Sequence, residues 1–149
     1  MTDSNTRSQL PASLAQRKVG ELMISAPQTH SIDTAVGAVR ATFEDSHLHM
    51  VLLTHGRVLY GTLLRSDLQP DVPPAAAALL LATLDGRTVQ PDRCIQAVHE
   101  RMVQLGQRRL AVVDPDNKLL GLLCLKRDQT GFCTDQGVAA RRSNRSGAT

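Results

Sequence analysis

Two kinds of apolar periodicity alternate along this chain, and they do so in the same order twice. In the first half, Val36, Val39 and Phe43 recur at helical spacing, and Asp33 stands where an N-cap carboxylate would meet the free amides of the first turn. A short segment at 29–32 that reads as a strand precedes this stripe, two apolar runs of strand length follow it, and Gly56 suits the turn between these two runs. The predicted elements are a strand at 29–32, a helix from Asp33 to about Asp45, strands at 49–53 and 58–63, and a helical turn at 66–68.

The second half repeats this pattern at an offset of 59 positions, which becomes 60 after one added residue in the turn 114–118. Val36 then corresponds to Ile95, and Gly61 corresponds to Gly121. A period of this length indicates two copies of one supersecondary unit. The predicted elements of the second copy are a strand at 88–90, a cap at Asp92, a helix whose stripe is Ile95, Val98, Met102 and Leu105 and which ends at Gly106, and strands at 109–113 and 119–123.

Neither copy alone has enough surface to bury its sheet face. We therefore predict an α/β (α+β) fold in which two β-α-β-β-α repeats pack sheet to sheet as a pseudo-twofold module, with function in the cleft between them. The apolar segment Val19–Met23 is expected to open the first copy, and three prolines in 69–74 argue against a helix there. The predicted division is a disordered segment at 1–17, repeat 1 at 18–69, a linker at 70–77, repeat 2 at 78–133, and a flexible basic tail at 134–149.

Composition and charge narrow the classes of function. The chain has no Trp, one Tyr and two Phe among 149 residues, so its core is expected to consist of Leu, Val, Ile and Ala. The net charge of +3 arises at the two ends, because acidic and basic residues balance between Lys18 and Cys133. The folded part thus has no basic footprint, and we do not expect it to bind nucleic acid. Binding of nucleic acid through the tail at 141–145 stays open as a weaker hypothesis.

The cysteines and the ends of the chain bear on its compartment. Cys94, Cys124 and Cys133 make an odd count with no CxxC spacing, which favours reduced thiols over a disulfide framework. The N-terminus lacks the apolar core of a signal peptide, and the longest apolar run is far shorter than the ~20 residues that a transmembrane helix needs. We predict a soluble, cytoplasmic protein with no membrane contact.

Histidines offer no convincing metal site. His47 and His49 would share one face of a strand, but His30, His55 and His99 are not spaced to complete a ligand set. His99, on the second helix, is expected to be exposed. The sequence contains no P-loop, GxGxxG or HExxH motif and no nucleophile-and-base arrangement, so neither a metal site nor an enzyme is predicted.

The order of elements, together with short motifs, resembles a known family. The segment 19–23 (Val-Gly-Glu-Leu-Met), the capped helix, and the hairpin that ends in Gly-Thr-Leu-Leu-Arg-Ser-Asp-Leu at 61–68 resemble a CBS domain. The second copy, which ends in Leu-Leu-Gly-Leu-Leu-Cys at 119–124, resembles its partner. Residues 18–133 are therefore similar to a tandem CBS pair, or Bateman module.

The resemblance implies binding of adenosine-containing ligands, namely AMP, ADP, ATP or S-adenosylmethionine, between the repeats. In that family an Asp six residues after the motif Gly accepts hydrogen bonds from the ribose hydroxyls, and a Ser or Thr three residues after the Gly helps to hold a phosphate. Asp67 has this spacing from Gly61, whereas Leu64 stands at the hydroxyl position. A carboxylate can accept from both ribose hydroxyls at once.

The second copy departs further from the family pattern. Cys124 stands at the hydroxyl position, Arg127 at the Asp position, and Asp128 follows one residue late. One position along a helical turn rotates a side chain by ~100°. We therefore predict at most one well-formed ribose site per chain, at Asp67. Whether this carboxylate binds ribose or only caps the following turn stays open.

Cationic side chains beside the two motifs are suited to phosphate. The candidate ligand-binding residues are Gly61, Thr62, Arg65, Ser66, Asp67, Arg108, Arg109, Cys124, Lys126 and Asp128. The resemblance also implies a regulatory, non-catalytic homodimer that needs no obligate cofactor. The alternative is a structural dimerisation or interaction module whose ligand sites have decayed.

Overall fold

The computed structural model describes residues 10–46, 48–127 and 129–133, which form two three-stranded sheets and a few short helices. The α+β class and its two repeats are confirmed. The helices are α1 (Ala12–Ala15), α2 (Val19–Leu22), α3 (Val36–Thr42) and α4 (Ile95–Leu105), with 3₁₀ turns at Arg65–Asp67 and Ala78–Leu81. The strands are β1 (His30–Ser31), β2 (Val51–His55), β3 (Val58–Leu63), β4 (Thr88–Val89), β5 (Arg109–Val113) and β6 (Leu119–Cys124). Helix α1 lies inside the segment for which disorder was predicted, and the predicted tail lies outside the described residues.

The first sheet has the order β1-β2-β3. Strand β1 runs parallel to β2, and β3 is antiparallel to it, with Val51 opposite Leu63 and Leu52 opposite Thr62. The hairpin predicted from the two apolar runs is thus confirmed. Its register brings the end of β3 directly to the 3₁₀ turn Arg65–Asp67, where the candidate carboxylate lies.

The second sheet has the order β4-β5-β6. Its hairpin strands agree with the predicted ranges to within one residue. Asn117 adopts a φ of 66° in the turn between them. Helix α4 ends at Gly106, whose φ of 70° gives the left-handed C-cap predicted for it.

The chain forms two compact units that do not coincide with contiguous halves of the sequence. One unit contains the described residues up to Pro27, residues 89–112, and the described residues from Leu120 onward. The other contains residues 28–88 and 113–119. The compact units therefore cut across the repeat boundaries predicted from the sequence.

In the first of these units, the segment around α2 pairs with elements of the second repeat. Lys18 bridges Cys94, and the Val19 amide donates to the Arg93 carbonyl at 3.0 Å. Ile24 forms an antiparallel bridge with Leu122 of β6. The segment expected to open repeat 1 thus completes the sheet unit of repeat 2.

The other unit contains the equivalent exchange. Ala77 bridges Ala35, and the Ala78 amide donates to the Thr34 carbonyl at 2.9 Å. Thr83 forms an antiparallel bridge with Thr62 of β3. Each of these contacts lies 59 or 60 positions from its counterpart in the first unit, so the repeat includes the segment before each β-α-β-β pattern.

This exchange explains why the helix caps were predicted wrongly. Helix α3 begins after Ala35, not after Asp33, and its Val36 amide donates to the Ala76 carbonyl at 2.8 Å. The Gly37 amide donates to the Pro74 carbonyl at 2.9 Å. Backbone carbonyls of a segment distant in sequence therefore satisfy the first turn, and no carboxylate is needed.

The first turn of helix α4 is also satisfied by a backbone carbonyl of a distant segment. Its N-cap is Cys94 rather than the predicted Asp92, and no side chain caps it. The Ile95 amide donates instead to the carbonyl of Arg17 at 2.9 Å. The equivalence of the two helix starts again places the preceding segment inside the repeat.

Each unit has its own apolar core. The core of the unit around the first sheet is Val36, Val39, Phe43, Val51, Leu53, Leu63 and Ala78. The core around the second sheet is Val19, Ile95, Met102, Leu110, Val112, Leu123, Leu125 and Phe132. The predicted stripe of α3 is confirmed. That of α4 is confirmed for Ile95 and Met102, which are buried, and for Val98, which packs against the core, but it is wrong for Leu105, which is 58% exposed.

The thiol prediction was wrong for two of the three cysteines. Cys124 and Cys133 form a disulfide, while Cys94 is free and exposed. A short hairpin aligns the pair, since Leu125 bridges Phe132 and the Cys133 amide donates to the Cys124 carbonyl at 2.7 Å. This brings the two Cα atoms to 5.3 Å, within the range a disulfide requires.

Within the described part of the chain, every helix is too short or too polar to cross a bilayer.

Candidate functional site

Asp67 closes the turn that follows β3. It is the last residue of the 3₁₀ turn Arg65–Asp67, and its Oδ2 accepts a hydrogen bond from the Leu64 amide at 2.7 Å. Because β3 ends one residue earlier, this contact satisfies an amide that no strand partner reaches. The sequence left open a cap for the turn that follows Asp67, but in the structure Asp67 ends the turn, and its carboxylate accepts from the residue before the turn.

Arg87 binds the same carboxylate through both of its terminal nitrogens. Nη1 lies 2.6 Å from Oδ2 of Asp67, and Nη2 lies 3.1 Å from Oδ1. The side chain of Arg87 is 16% exposed and that of Asp67 is 19% exposed. This is the fork geometry in which guanidinium and carboxylate interact most strongly. Sequence reasoning missed Arg87, because a single Arg in a turn before β4 belongs to no motif or periodicity.

The ion pair sets the charge state of Asp67. Burial raises the pKa of this carboxyl, but the hydrogen bond from Arg87, the hydrogen bond from Leu64 and the positive charge of Arg87 together outweigh burial. The pKa of Asp67 is therefore held below its usual range, and the group is a carboxylate at neutral pH. A hydrogen-bond acceptor for hydroxyl groups is thus available at the end of β3.

Gly61 and Thr62 both contact the segment that precedes β4. The Thr62 hydroxyl is fully buried and donates to the Thr83 carbonyl at 2.6 Å. A Cβ atom on Gly61 would lie 2.5 Å from the Cβ of Ala82, so only glycine permits the observed approach. These two motif positions hold the segment before β4 against β3, and Arg87 extends from the end of that segment.

Arg87 also touches the strand itself. Its Nη1 lies 3.3 Å from the Thr62 carbonyl, so one guanidinium joins the end of β3 to the turn carboxylate. Thr62, Asp67 and Arg87 are therefore brought together, and we call them the Asp67 cluster. Thr83 anchors this cluster through its contacts with Thr62.

Arg65 points to backbone rather than to this cluster. Its guanidinium donates to the carbonyls of Phe43, Asp45 and Leu48, the latter two at 2.8 Å. The guanidinium carbon also lies 5.1 Å from the centroid of the Phe43 ring. Arg65 thus joins the turn after β3 to the backbone that follows α3. Ser66, the next residue, is exposed.

The candidate residues of the second repeat surround the disulfide hairpin. Arg108 Nε donates to the Leu125 carbonyl at 3.0 Å, and Arg109 Nη1 donates to the Arg108 carbonyl at 3.0 Å. Cys124 is consumed by its bond to Cys133. Lys126 is exposed, and Asp128 lies outside the described residues.

His99 is buried, contrary to the prediction that it is exposed. It is 1% exposed, and its Nε2 lies 2.6 Å from the Gln129 carbonyl. Its ring meets the Phe132 ring edge-on with centroids 6.0 Å apart. Lying four residues after Ile95, it shares the buried face of α4. Periodicity alone could have placed it there.

Clusters of three or more side chains suited to hold a metal are absent from the residues that the structure describes. His47, one half of the predicted histidine pair, lies outside them.

Comparison of sequences identifies no relative: no protein-family model matches the chain, and no curated protein matches it. Comparison of structures finds proteins of similar fold. A CBS domain protein of unknown function from Thermoplasma acidophilum is similar at a TM-score of 0.60 and 20% identity, over 72% of this chain. This chain covers 65% of that protein, slightly less than two thirds of its length.

Two further similar structures contain nucleotides. A CBS domain protein from Pyrobaculum aerophilum, complexed with AMP, has a TM-score of 0.61 at 18% identity over 74% of this chain and 88% of that one. The cytosolic domain of a Mg²⁺ channel, in complex with ATP, has a TM-score of 0.60 at 20% identity over 76% of this chain and 48% of that one. At these identities the similarity establishes a common fold.

Proposed function

We propose that this chain, which has the fold of a tandem CBS domain pair, is a regulatory module that binds an adenosine-containing ligand at the Asp67 cluster. The ligands considered are AMP, ADP, ATP and S-adenosylmethionine. The observation that carries the proposal is the ionised, partly exposed carboxylate of Asp67 at the end of β3. Two proteins of the same fold, complexed with AMP and with ATP, support it.

The chemistry of the carboxylate suits ribose. An ionised Asp accepts hydrogen bonds only, and a ribose offers two adjacent hydroxyl donors. The turn fixes the carboxylate through the Leu64 amide, so little conformational freedom is lost when a ligand binds. Asp67 is the one motif position at which this sequence has the spacing typical of the family.

Regulation would follow from differential binding. We propose that the module forms a homodimer, as its resemblance implies, and that the ligand binds one arrangement of the dimer more tightly than another. The population of that arrangement then rises with ligand concentration. A non-catalytic role fits this scheme, since nothing in the proposal requires a covalent step.

The test is a thermal-shift series with the four ligands at millimolar concentration. A ligand that binds only the folded protein raises the melting temperature by mass action. We expect at least one ligand to raise it for the wild type, and we expect the shift to be lost in Asp67→Asn, which keeps the size of the side chain. Asp92→Asn is the matched control, because Asp92 is an exposed acid outside the cluster. An undiminished shift in Asp67→Asn would place the ligand elsewhere.

A structural dimerisation or interaction module is the second candidate. The observation that favours it is that the polar groups of the cluster already bind one another: Thr62 binds Thr83, and Asp67 binds Arg87. Under this reading none of the four ligands changes the melting temperature. Sedimentation at several protein concentrations would nevertheless show a ligand-independent dimer.

A further inference from the structure

We infer that Arg87 makes the site selective for adenine nucleotides with a phosphate group, because it must exchange the Asp67 carboxylate for a ligand anion before ribose can bind. This inference rests on the proposed function and assigns a role to a residue outside the family motif. The juxtaposition behind it is the two-point contact between Arg87 and Asp67, at 2.6 and 3.1 Å.

Asp67 has little acceptor capacity left for a ribose. A carboxylate has about four acceptor positions, two on each oxygen. Oδ2 already accepts from the Leu64 amide and from Nη1 of Arg87, and Oδ1 accepts from Nη2 of Arg87. One position therefore remains, on Oδ1. A ribose that donates from both of its hydroxyls needs two, so Arg87 has to give up at least one of its contacts.

Arg87 has little water with which to replace a contact that it gives up, because its side chain is only 16% exposed. Leaving a buried charge unpaired is strongly unfavourable. Its contact with the Thr62 carbonyl, at 3.3 Å, is long and neutral and cannot compensate for the lost charge.

A phosphate group on the ligand can replace the contact that Arg87 loses. A phosphate presents two oxygens to a guanidinium in the same fork geometry as a carboxylate and also carries negative charge. A nucleotide can therefore supply ribose donors to Asp67 and an anion to Arg87 in one binding event. Adenosine supplies no anion and should therefore bind more weakly than AMP.

The experiment is isothermal titration of AMP and adenosine into the wild type, Arg87→Gln and Arg57→Gln. Arg57 is an exposed arginine of the same compact unit and serves as the matched control. In the wild type and in Arg57→Gln, AMP should bind at least about tenfold more tightly than adenosine, as expected for one charge-assisted fork. In Arg87→Gln this ratio should fall to about threefold or less, while adenosine binds as well as, or better than, it binds the wild type.

Two results would overturn the inference while leaving the proposed function intact. One is equal binding of AMP and adenosine by the wild type. The other is a loss of both ligands in equal proportion in Arg87→Gln, which would make Arg87 a purely structural residue. Absence of binding by AMP and adenosine to any variant, together with no thermal shift from any of the four ligands, would instead overturn the proposed function, and the inference with it.

Arg87→Lys keeps the test decisive if Arg87→Gln does not fold. Lysine retains the charge but cannot form the fork, so the AMP preference should fall to an intermediate value. An AMP preference in Arg87→Lys that equals that of the wild type would contradict the fork and assign the selectivity to charge elsewhere.

Discussion

Thr62 and Thr83 are joined by three hydrogen bonds: reciprocal main-chain bonds of 2.9 and 3.0 Å, and a bond of 2.6 Å from the Thr62 hydroxyl to the Thr83 carbonyl. They are separated by the proline-rich stretch, yet they fasten the segment before β4 to the end of β3. Since Thr62 is fully buried, this contact is part of the scaffold of the Asp67 cluster.

Replacing Thr62 with Val should test that contact. Valine keeps the shape but removes the hydroxyl donor, so we expect the free energy of unfolding to fall by about 1 kcal/mol. Urea denaturation measures the change. Thr42→Val is the control, because that hydroxyl bonds to the Ala38 carbonyl within its own helix, and it should change stability by less than about 0.5 kcal/mol. Equal losses in the two variants would contradict a special role for Thr62.

The two motif glycines should tolerate no side chain. A Cβ on Gly61 would lie 2.5 Å from the Cβ of Ala82, and one on Gly121 would lie 2.6 Å from the Ile24 carbonyl oxygen. Gly61→Ala and Gly121→Ala should therefore each lower the free energy of unfolding by about 1–3 kcal/mol, since backbone must move to relieve the overlap.

Gly131→Ala is the matched control for these glycines. Its added methyl group would meet its nearest neighbour, Leu14, at an ordinary 3.9 Å. In urea denaturation, its free energy of unfolding should lie within about 0.5 kcal/mol of that of the wild type. A comparable loss in this variant would mean that backbone entropy, rather than close approach, governs all three positions.

Stability should depend on pH through Asp67. The folded-state pKa of this carboxyl is lowered, so the unfolded chain takes up its proton first as the pH falls. The stabilisation is fully present above the unfolded-state pKa of about 4, and it is lost as the pH falls further, through the lowered folded-state value. The difference in unfolding free energy between the wild type and Asp67→Asn should therefore be largest near neutral pH and shrink below about pH 4.

Denaturant titrations at a series of pH values would measure this difference. Asp92→Asn changes an exposed acid, so the free energy of unfolding of this variant should depend on pH in the same way as that of the wild type. A constant gap between wild type and Asp67→Asn down to pH 2 would show that the ion pair with Arg87 does not hold in solution.

The disulfide should stabilise the oxidised protein. It joins two cysteines with a sequence separation of 9. For a loop of this length, the loss of chain entropy in the unfolded state predicts a stabilisation of about 2–3 kcal/mol. Reduction, or Cys133→Ser, should lower the melting temperature by several degrees, and reductant should have no further effect on the variant. Cys94→Ser removes the free thiol and should leave the melting temperature and its response to reductant unchanged.

Much of the secondary structure was predicted from patterns among residues close in sequence. The spacing of Val36, Val39 and Phe43 predicted a buried helical face, and all three are buried. The left-handed Gly106 and the two hairpins were predicted because each depends on residues close in sequence. Such features follow from periodicity and turn chemistry, which the chain displays before it folds.

Features that depend on distant partners were missed or wrong. Asp33 looked like a cap, but the Ala76 carbonyl takes that role from a segment 40 positions away. Cys124 and Cys133 showed no disulfide spacing, and the hairpin that aligns them was not predicted. Arg87 belonged to no pattern, although it is the strongest partner of Asp67.

The sequence by itself determined the repeat, its offset, its helices and strands, and the position of one motif carboxylate, because these depend on spacing along the chain. Only the tertiary structure decided which segment completes each sheet unit and what neutralises that carboxylate. The physical reason is that hydrogen-bond partners of helix starts, strand edges and buried charges are chosen by proximity in space. The Asp67–Arg87 pair is formed in this way.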